Sequence, residues 1–396
     1  MMIELQPNSF YKGLASPLFN EKVATETLSF HKKIPNYEAT PLVSLNNLAS
    51  YLGVKDILIK DESKRFGLNA FKVLGGSYAL GKLLAEKLNI TIADINFKTV
   101  ASLLPEPLIF TTATAGNHGT GVAWAAREMG QKAVVFMPKG SAQASVDRIR
   151  GLGADCIVTD VNYDDTVRLA SATAESNGWT LVQDTAWDGY TEIPTWISQG
   201  YMTMAKEAFE QLSEASKNMP THIFLQAGVG AMAGGVLGYC VDALGADKFI
   251  SVISEPKAAD CLYRSIGTAD GHRVAVNGSL NSIMAGLACG EVNPVTWDIL
   301  RDSGNFYINA DDVLAATGMR VLGNPLPGDP AVISGESGAI NLGLLYSLMT
   351  SKDEKIVAYR EQLGLTKDSV VLIFSTEGDT NPARYRSIVW EGMLSL

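Results

Sequence analysis

Short runs of apolar, β-branched residues recur along the chain at Ile57–Lys60, Leu108–Thr112, Ala133–Met137, Cys156–Thr159, Leu181–Asp184, Ile223–Gln226, Phe249–Ser254 and Val370–Phe374. Such runs suit strands buried on both faces of a parallel sheet. Between them lie stretches with helical periodicity, among them Asn117–Met129, Ala142–Arg150 and Tyr163–Glu175. Gly130 and Gly151 stand where left-handed C-caps are expected. Strand and helix alternate for most of the length, which predicts an α/β fold with right-handed crossovers. The segment Gly323–Pro330 reads as an irregular surface loop.

Composition narrows the class. Of 396 residues, 46% are hydrophobic and 19% charged, which argues against disorder. Four cysteines are too few for a disulfide scaffold, and the length suits about two lobes. A net charge of −10 sets the chain against nucleic acid and anionic membranes. The uncharged segment Phe224–Val241 contains five glycines, and reads as a buried strand, a glycine turn and a buried helix, not a membrane span. The opening residues carry no basic region followed by an apolar one, so the expectation is a soluble cytoplasmic protein.

Three segments carry candidate chemistry. In THIFLQAGVGAMAGG a strand runs into Gly228-Val229-Gly230 and then a helix beginning near Ala231 and Met232. Backbone N–H groups and the helix dipole there would make an anion site. GVGAMA also satisfies a dinucleotide-binding pattern, with Glu255 ending the next strand where a ribose-binding acid would stand. The motif alone leaves a nicotinamide, a smaller phosphate-bearing cofactor and a packing turn open. In KDESKRFGLNAFKVLGGSYA, Lys72 follows a loop and opens a helix among Phe71, Val73 and Leu74. Partial desolvation lowers an ammonium's pKa and allows Schiff-base chemistry, although a surface lysine at a helix start would look similar. In TATAGNHGTGVAWAA small residues, an Asn and a His stand at a strand-to-helix turn whose N–H groups suit a carboxylate.

A lysine turn, a carboxylate turn and a glycine phosphate loop, in that order, resemble the β-family of pyridoxal-phosphate enzymes (fold type II). Within it, RFGLNAFKVLGG, QDTAWDGYTEIPTWISQGY, SEPKAADCLYRS, IMAGLACGE, GESGA and STEGDT resemble segments of the diaminopropionate ammonia-lyases. The resemblance covers nearly the whole chain. It implies two open parallel-sheet lobes with the active site between them. Residues 1–104 plus 201–396 would form the large cofactor-binding domain and 105–200 the small one. The cofactor would be pyridoxal 5'-phosphate and the assembly a homodimer. Lys72 would bond the cofactor and Asn117 its phenolic oxygen. Gly228, Val229, Gly230, Ala231 and Met232 would hold its phosphate. Ser375 would face the pyridine nitrogen and keep it neutral. Thr114, Ala115, Gly116, Asn117 and His118 would embrace the substrate carboxylate.

The implied reaction is α,β-elimination of ammonia from 2,3-diaminopropionate, with Lys72 as base on one face of Cα. One position departs from the family pattern. Where its turn reads T-D-G-N-H, this chain has Thr114-Ala115-Gly116-Asn117-His118. Ala115 cannot accept a proton, which points to L-isomer restriction or an altered substrate. It also brings the turn close to that of the serine/threonine dehydratases, the first alternative; an NAD-dependent oxidoreductase using GVGAMA is the second. Asp184 remains as an acid for the substrate's β-ammonium or for proton removal, or as a helix N-cap. Asp188, Glu192 and Glu336 are weaker acidic candidates. His31, His222 and His272 show no ligand spacing, and Cys156, Cys240, Cys261 and Cys289 form no C-x-x-C, so no metal is expected. Cys261 and Cys289 both lie in family-like segments and could approach each other; four buried thiols are the plainer expectation.

Overall fold

The computed structural model describes residues 2–114 and 116–395, the side chain of Asp164 excepted. The chain folds into two compact units. One comprises residues 1–21, 39–70 and 204–396, the other residues 22–38 and 71–203. The stretch 105–200, expected as the small lobe, lies wholly inside the second unit, which also takes in 22–38 and 71–104. The physical reason is the helix Val73–Leu88, which packs on the helices Asn117–Glu128 and Glu192–Gly200.

The strands are β1 (Ile3–Pro7), β2 (Leu42–Ser44), β3 (Asp56–Asp61), β4 (Ile109–Ala113), β5 (Lys132–Met137), β6 (Asp155–Val158), β7 (Thr180–Leu181), β8 (His222–Gln226), β9 (Ile250–Pro256), β10 (Phe306–Ala310) and β11 (Val370–Ser375). In the first unit seven strands run in the order β1-β10-β9-β8-β11-β3-β2. The five inner strands are parallel to their neighbours, while β1 on β10 and β2 on β3 are antiparallel edges. Apart from these two edges the sheet is parallel, in keeping with the open parallel-sheet lobe that the resemblance implies. In the second unit β6-β5-β4-β7 are all parallel.

Burial follows the sequence pattern. Every residue of β8 and of β11 is buried, as expected of central strands covered on both faces. In β1, Ile3 and Leu5 are buried while Glu4 and Gln6 are half-buried, the alternation of an edge strand. Phe224–Val241 resolves into β8, a turn and the buried helix Ala231–Leu244. Among the described residues, no helix is long and apolar enough to cross a membrane.

The first unit also buries a charge cluster. Arg65 donates through both forks, to Glu62 (2.8 Å) and to Glu207 (2.8 Å). Lys60 lies 2.7 Å from Glu207 and donates to the Thr40 carbonyl and the Gln211 side-chain oxygen. Burial opposes every one of these charges. Arg65 and Lys60 nonetheless hold the Glu207 carboxyl below its usual range.

Candidate functional site

In the second unit, Lys72 has helical backbone angles and its carbonyl accepts from Gly76, so it opens the helix Val73–Leu88 as the sequence pattern predicts. That helix is seated by backbone-to-backbone approach. A Cβ at Gly121 would come within 2.8 Å of the Val73 nitrogen, and one at Gly200 within 2.5 Å of the Leu74 carbonyl oxygen. Glycine at these two positions is what lets three helices hold the lysine turn closely.

Lys72 Nζ donates to Asp184 Oδ2 at 2.6 Å, and both side chains are largely buried. The ammonium also lies 5.6 Å from the centre of the Phe71 ring and 5.8 Å from that of Tyr201, within cation–π range. Burial works against the Asp184 charge, but His118 and Lys72 outweigh it and hold the carboxyl well below the usual range. Asp184 is thus ionised throughout the neutral range, and is not the cap of a helix. Its segment is latched to β4 by side chains. Gln183 Oε1 accepts from Thr112 Oγ1 and the Ala113 N–H, both at 3.0 Å, and Tyr190 donates to the Leu181 carbonyl while accepting the Gln183 N–H. For this reason the strand expected at Leu181–Asp184 keeps only Thr180–Leu181: beyond Val182 a side-chain amide replaces the ladder.

β4 leads into the carboxylate turn. Thr114 is buried, its Oγ1 accepts the Gly116 N–H at 3.0 Å, and Asn117 and His118 open the helix Asn117–Glu128 with no side-chain cap on its first turn. Ala115 lies outside the described residues. His118 donates Nε2–H to the Val182 carbonyl at 2.8 Å, while Nδ1 has no hydrogen-bond partner and faces Asp184 at 3.9 Å. Burial lowers its pKa while Asp184 acts to raise it, and the ring's bond to the Val182 carbonyl orders the segment before Asp184.

In the first unit, β8 runs into Gly228 and Val229, half-buried, and then Gly230. Gly230 has φ +94°, and a Cβ there would meet Leu300 Cδ1 at 2.8 Å. The helix that follows, starting at Ala231 and Met232, has no side-chain cap, so its first-turn N–H groups remain available to an anion. Ser375 ends β11 fully buried and donates to Ser334 Oγ at 2.8 Å. The strand end is held by Gln226, which donates to the Phe374 carbonyl and to Thr376 Oγ1. Glu336 is buried beside Glu377, with Arg384 3.9 Å away; burial first and Glu377 second push its carboxyl up to about 7. Asp188 and Glu192 are exposed.

The nicotinamide alternative fails on Glu255. This residue is fully buried and accepts from the backbone N–H groups of Leu262 (2.9 Å) and Tyr263 (2.7 Å). Its carboxyl group, which burial pushes up to about 8, is taken up by these first-turn N–H groups of the helix Cys261–Ile266 and presents nothing to a ribose. Cys156, Cys240 and Cys261 are buried thiols and Cys289 is a half-buried one. Cys261 Sγ approaches the Gly228 carbonyl at 3.7 Å. Among the described residues no group of three His, Cys, Asp or Glu side chains could hold a metal ion. Sequence reasoning did not single out Gln183, Tyr190, Ser334 or Tyr201. Only the strings quoted for the family resemblance contain the first two and the last, without marking them.

Each unit by itself carries an element that suits part of a phosphate-bearing aldehyde cofactor: the first a glycine turn with uncapped N–H groups, the second a lysine at a helix start. Comparisons with known proteins agree. Residues 34–358 match the family described as pyridoxal-phosphate dependent enzyme. A diaminopropionate ammonia-lyase of Escherichia coli (strain K12) is 54% identical over 392 residues, 99% of this chain and 97% of that protein. One from Salmonella typhimurium is 53% identical over 387 residues, 96% of this chain and 95% of that protein. A crystal structure of the Escherichia coli diaminopropionate ammonia lyase in complex with an aminoacrylate-PLP azomethine reaction intermediate matches with a TM-score of 0.92 at 53% identity, covering 100% of this chain and 98% of that one.

Proposed function

The chain belongs to the family of pyridoxal-phosphate-dependent enzymes, and from that premise we propose that it eliminates ammonia from 2,3-diaminopropionate, giving pyruvate and a second ammonia. The observation that carries this reading is 54% identity to a diaminopropionate ammonia-lyase along 99% of the chain. When bound, pyridoxal phosphate supplies an electron sink for the charge left at Cα. Lys72 bonds it; the turn Gly228–Met232 takes its phosphate, Asn117 its phenolic oxygen, and Ser375 its ring nitrogen. A hydroxyl at that nitrogen, in place of a carboxylate, leaves the ring a moderate sink. The turn Thr114–His118 offers uncapped N–H groups to the substrate carboxylate.

Lys72 and Asp184 divide the proton work. Paired with the Lys72 ammonium, Asp184 is a weak base and an anion suited to the substrate's β-ammonium. Without that cation, burial is the largest influence on Asp184 and its basicity rises. Lys72, as an uncharged amine, removes the Cα proton; the leaving β-amine departs as ammonia. The homodimer implied by the resemblance, and a cytoplasmic location, belong to the same proposal. Light scattering on the holoenzyme at micromolar concentration should give twice the chain mass, and a monomer would remove the dimer from it.

Ala115 sets the stereochemical expectation. With L-diaminopropionate the purified holoenzyme should release about two ammonia per pyruvate, the ratio that elimination followed by imine hydrolysis requires. The D-isomer should react far more slowly, and L-serine and L-threonine little. Ala115→Asp should raise the D/L ratio by roughly 10²-fold or more, the low end of what a placed base contributes. Keto acid from serine or threonine alone would move the chain to the dehydratases, and an unchanged D/L ratio in the variant would place the second base elsewhere.

A further inference from the structure

Tyr201 is the residue after the helix Glu192–Gly200, and it is fully buried. Its ring packs against Phe71 with centroids 4.7 Å apart, and a Cβ at Gly75 would come within 2.7 Å of it. The ring is therefore fixed against the first turn of the lysine-bearing helix. Its hydroxyl has no hydrogen-bond partner among the described residues. The Lys72 ammonium lies 5.8 Å from the centre of its ring, and Lys72 is the side chain that acts on this hydroxyl as a hydrogen-bond donor although no bond of good geometry is formed. Buried hydroxyls are nearly always paired, and leaving one unpaired is costly. Phenylalanine would fill the same space beside Phe71 without that cost. Packing accounts for the ring of Tyr201 and leaves the oxygen unexplained.

An amine that acts as a base must hold its lone pair toward the proton it removes. A lysine amine turns freely about its last bond unless its N–H groups are held. Asp184 accepts one of them. We propose that Tyr201 is a positioning residue for Lys72: its phenolic oxygen accepts a second N–H of the uncharged amine, so that with Asp184 it leaves the lone pair in a single direction. The hydroxyl hydrogen then remains for a substrate or cofactor oxygen. This proposal rests on the reading of Lys72 as the base. The phenol itself stays neutral, since burial raises its pKa far above the working range. It therefore donates and accepts hydrogen bonds without taking the proton.

The test is Tyr201→Phe in the holoenzyme, with the apoprotein measured alongside. The variant should lower kcat on 2,3-diaminopropionate by roughly 10- to 100-fold with KM little changed, the scale expected when a reacting group is misplaced. The isotope effect on kcat with α-deuterated substrate should rise, because proton removal becomes slower relative to the other steps. Melting of the apoprotein should occur at the same or a higher temperature, since an unpaired buried hydroxyl is lost. An unchanged kcat and isotope effect would overturn the proposal, and so would a kcat loss accompanied by a lower melting temperature, which would mark Tyr201 as structural. Lys72→Ala separates this from the underlying reading: turnover by that variant would remove Lys72 as the base, whereas an inactive Lys72→Ala beside a fully active Tyr201→Phe would remove Tyr201 alone.

Discussion

Lys72→Ala is expected to lower turnover of 2,3-diaminopropionate by roughly 10³-fold or more, because one substitution removes both the cofactor's covalent attachment and a positioned base, the latter alone worth about 10²–10⁴. The cofactor's visible absorption should change with it, from that of an imine to that of a free aldehyde. Lys72 lies at a helix start whose packing is carried by Gly121, Gly200 and the backbone of Val73 and Leu74, so shortening its side chain leaves that packing in place. The folded chain should survive. Lys72→Ala does strip Asp184 of the cation 2.6 Å away, and the buried carboxyl should then titrate at higher pH than it does now. Steady-state elimination close to that of the unaltered enzyme would sink the assignment of Lys72.

Asp184→Asn is the second large effect. The amide keeps the shape and removes the charge that faces Lys72 and His118. The kcat/KM for diaminopropionate should fall by about 10²–10⁴-fold, the contribution of a placed acid–base group. The carboxyl is held well below its usual range while the Lys72 ammonium faces it. The apoprotein should carry a stability signature of definite sign. A folded-state pKa below the unfolded one contributes stability that is fully present above the unfolded value, about 3.9, and is lost as pH falls through the folded one. Asp184→Asn should therefore melt at a lower temperature than the unaltered apoprotein at pH 7, with the gap closing below about pH 4. A gap that stayed constant into acid would mean that the Lys72–Asp184 pair does not form in solution.

Much of the sheet was legible because its central strands are buried on both faces, and continuous β-branched runs have few other uses. β8 and β11 fall within one residue of where the apolar runs place them. What the pattern missed lies at or beside one edge of the larger sheet, in β1 and β10, and at the other in β2, a strand of three half-buried residues. Such strands are defined by their partners more than by their own residues. The helix end expected at Gly151 shows the same limit: Gly151 is the last helical residue, and the left-handed turn falls on Gly153, φ +84°. Two glycines in three positions gave the chain two places for the left-handed turn, and the sequence alone does not choose between them.

The candidate site divides in a similar way. The Gly228–Gly230 turn is marked by a backbone demand, while Lys72, which alone resembles any surface lysine at a helix start, stands out through the segments around it. Asp184 drew attention as an acid at a strand end, but its pairing with Lys72 joins residues 112 positions apart. Tyr201 and Gln183 act through the far end of a side chain, and nothing in the neighbouring residues distinguishes such a tyrosine or glutamine from one that merely fills space. Glu255 shows the converse. A motif spacing pointed to a ribose-binding acid, and the fold uses that carboxylate to satisfy the N–H groups of Leu262 and Tyr263.

The charge cluster around Arg65 has a consequence for how the chain is made. Thr40, Lys60, Glu62 and Arg65 precede the long excursion through residues 71–203, and Glu207 and Gln211 follow it. A ribosome delivers Arg65 some 142 residues ahead of the carboxylate that completes its fork, the separation in sequence between the two. Until Glu207 emerges, Lys60 and Arg65 share one carboxylate between two cations and are better left in water. The cluster thus ties residues on the two sides of that excursion to one another: its charges are matched only when Glu207 is in place beside Lys60 and Arg65.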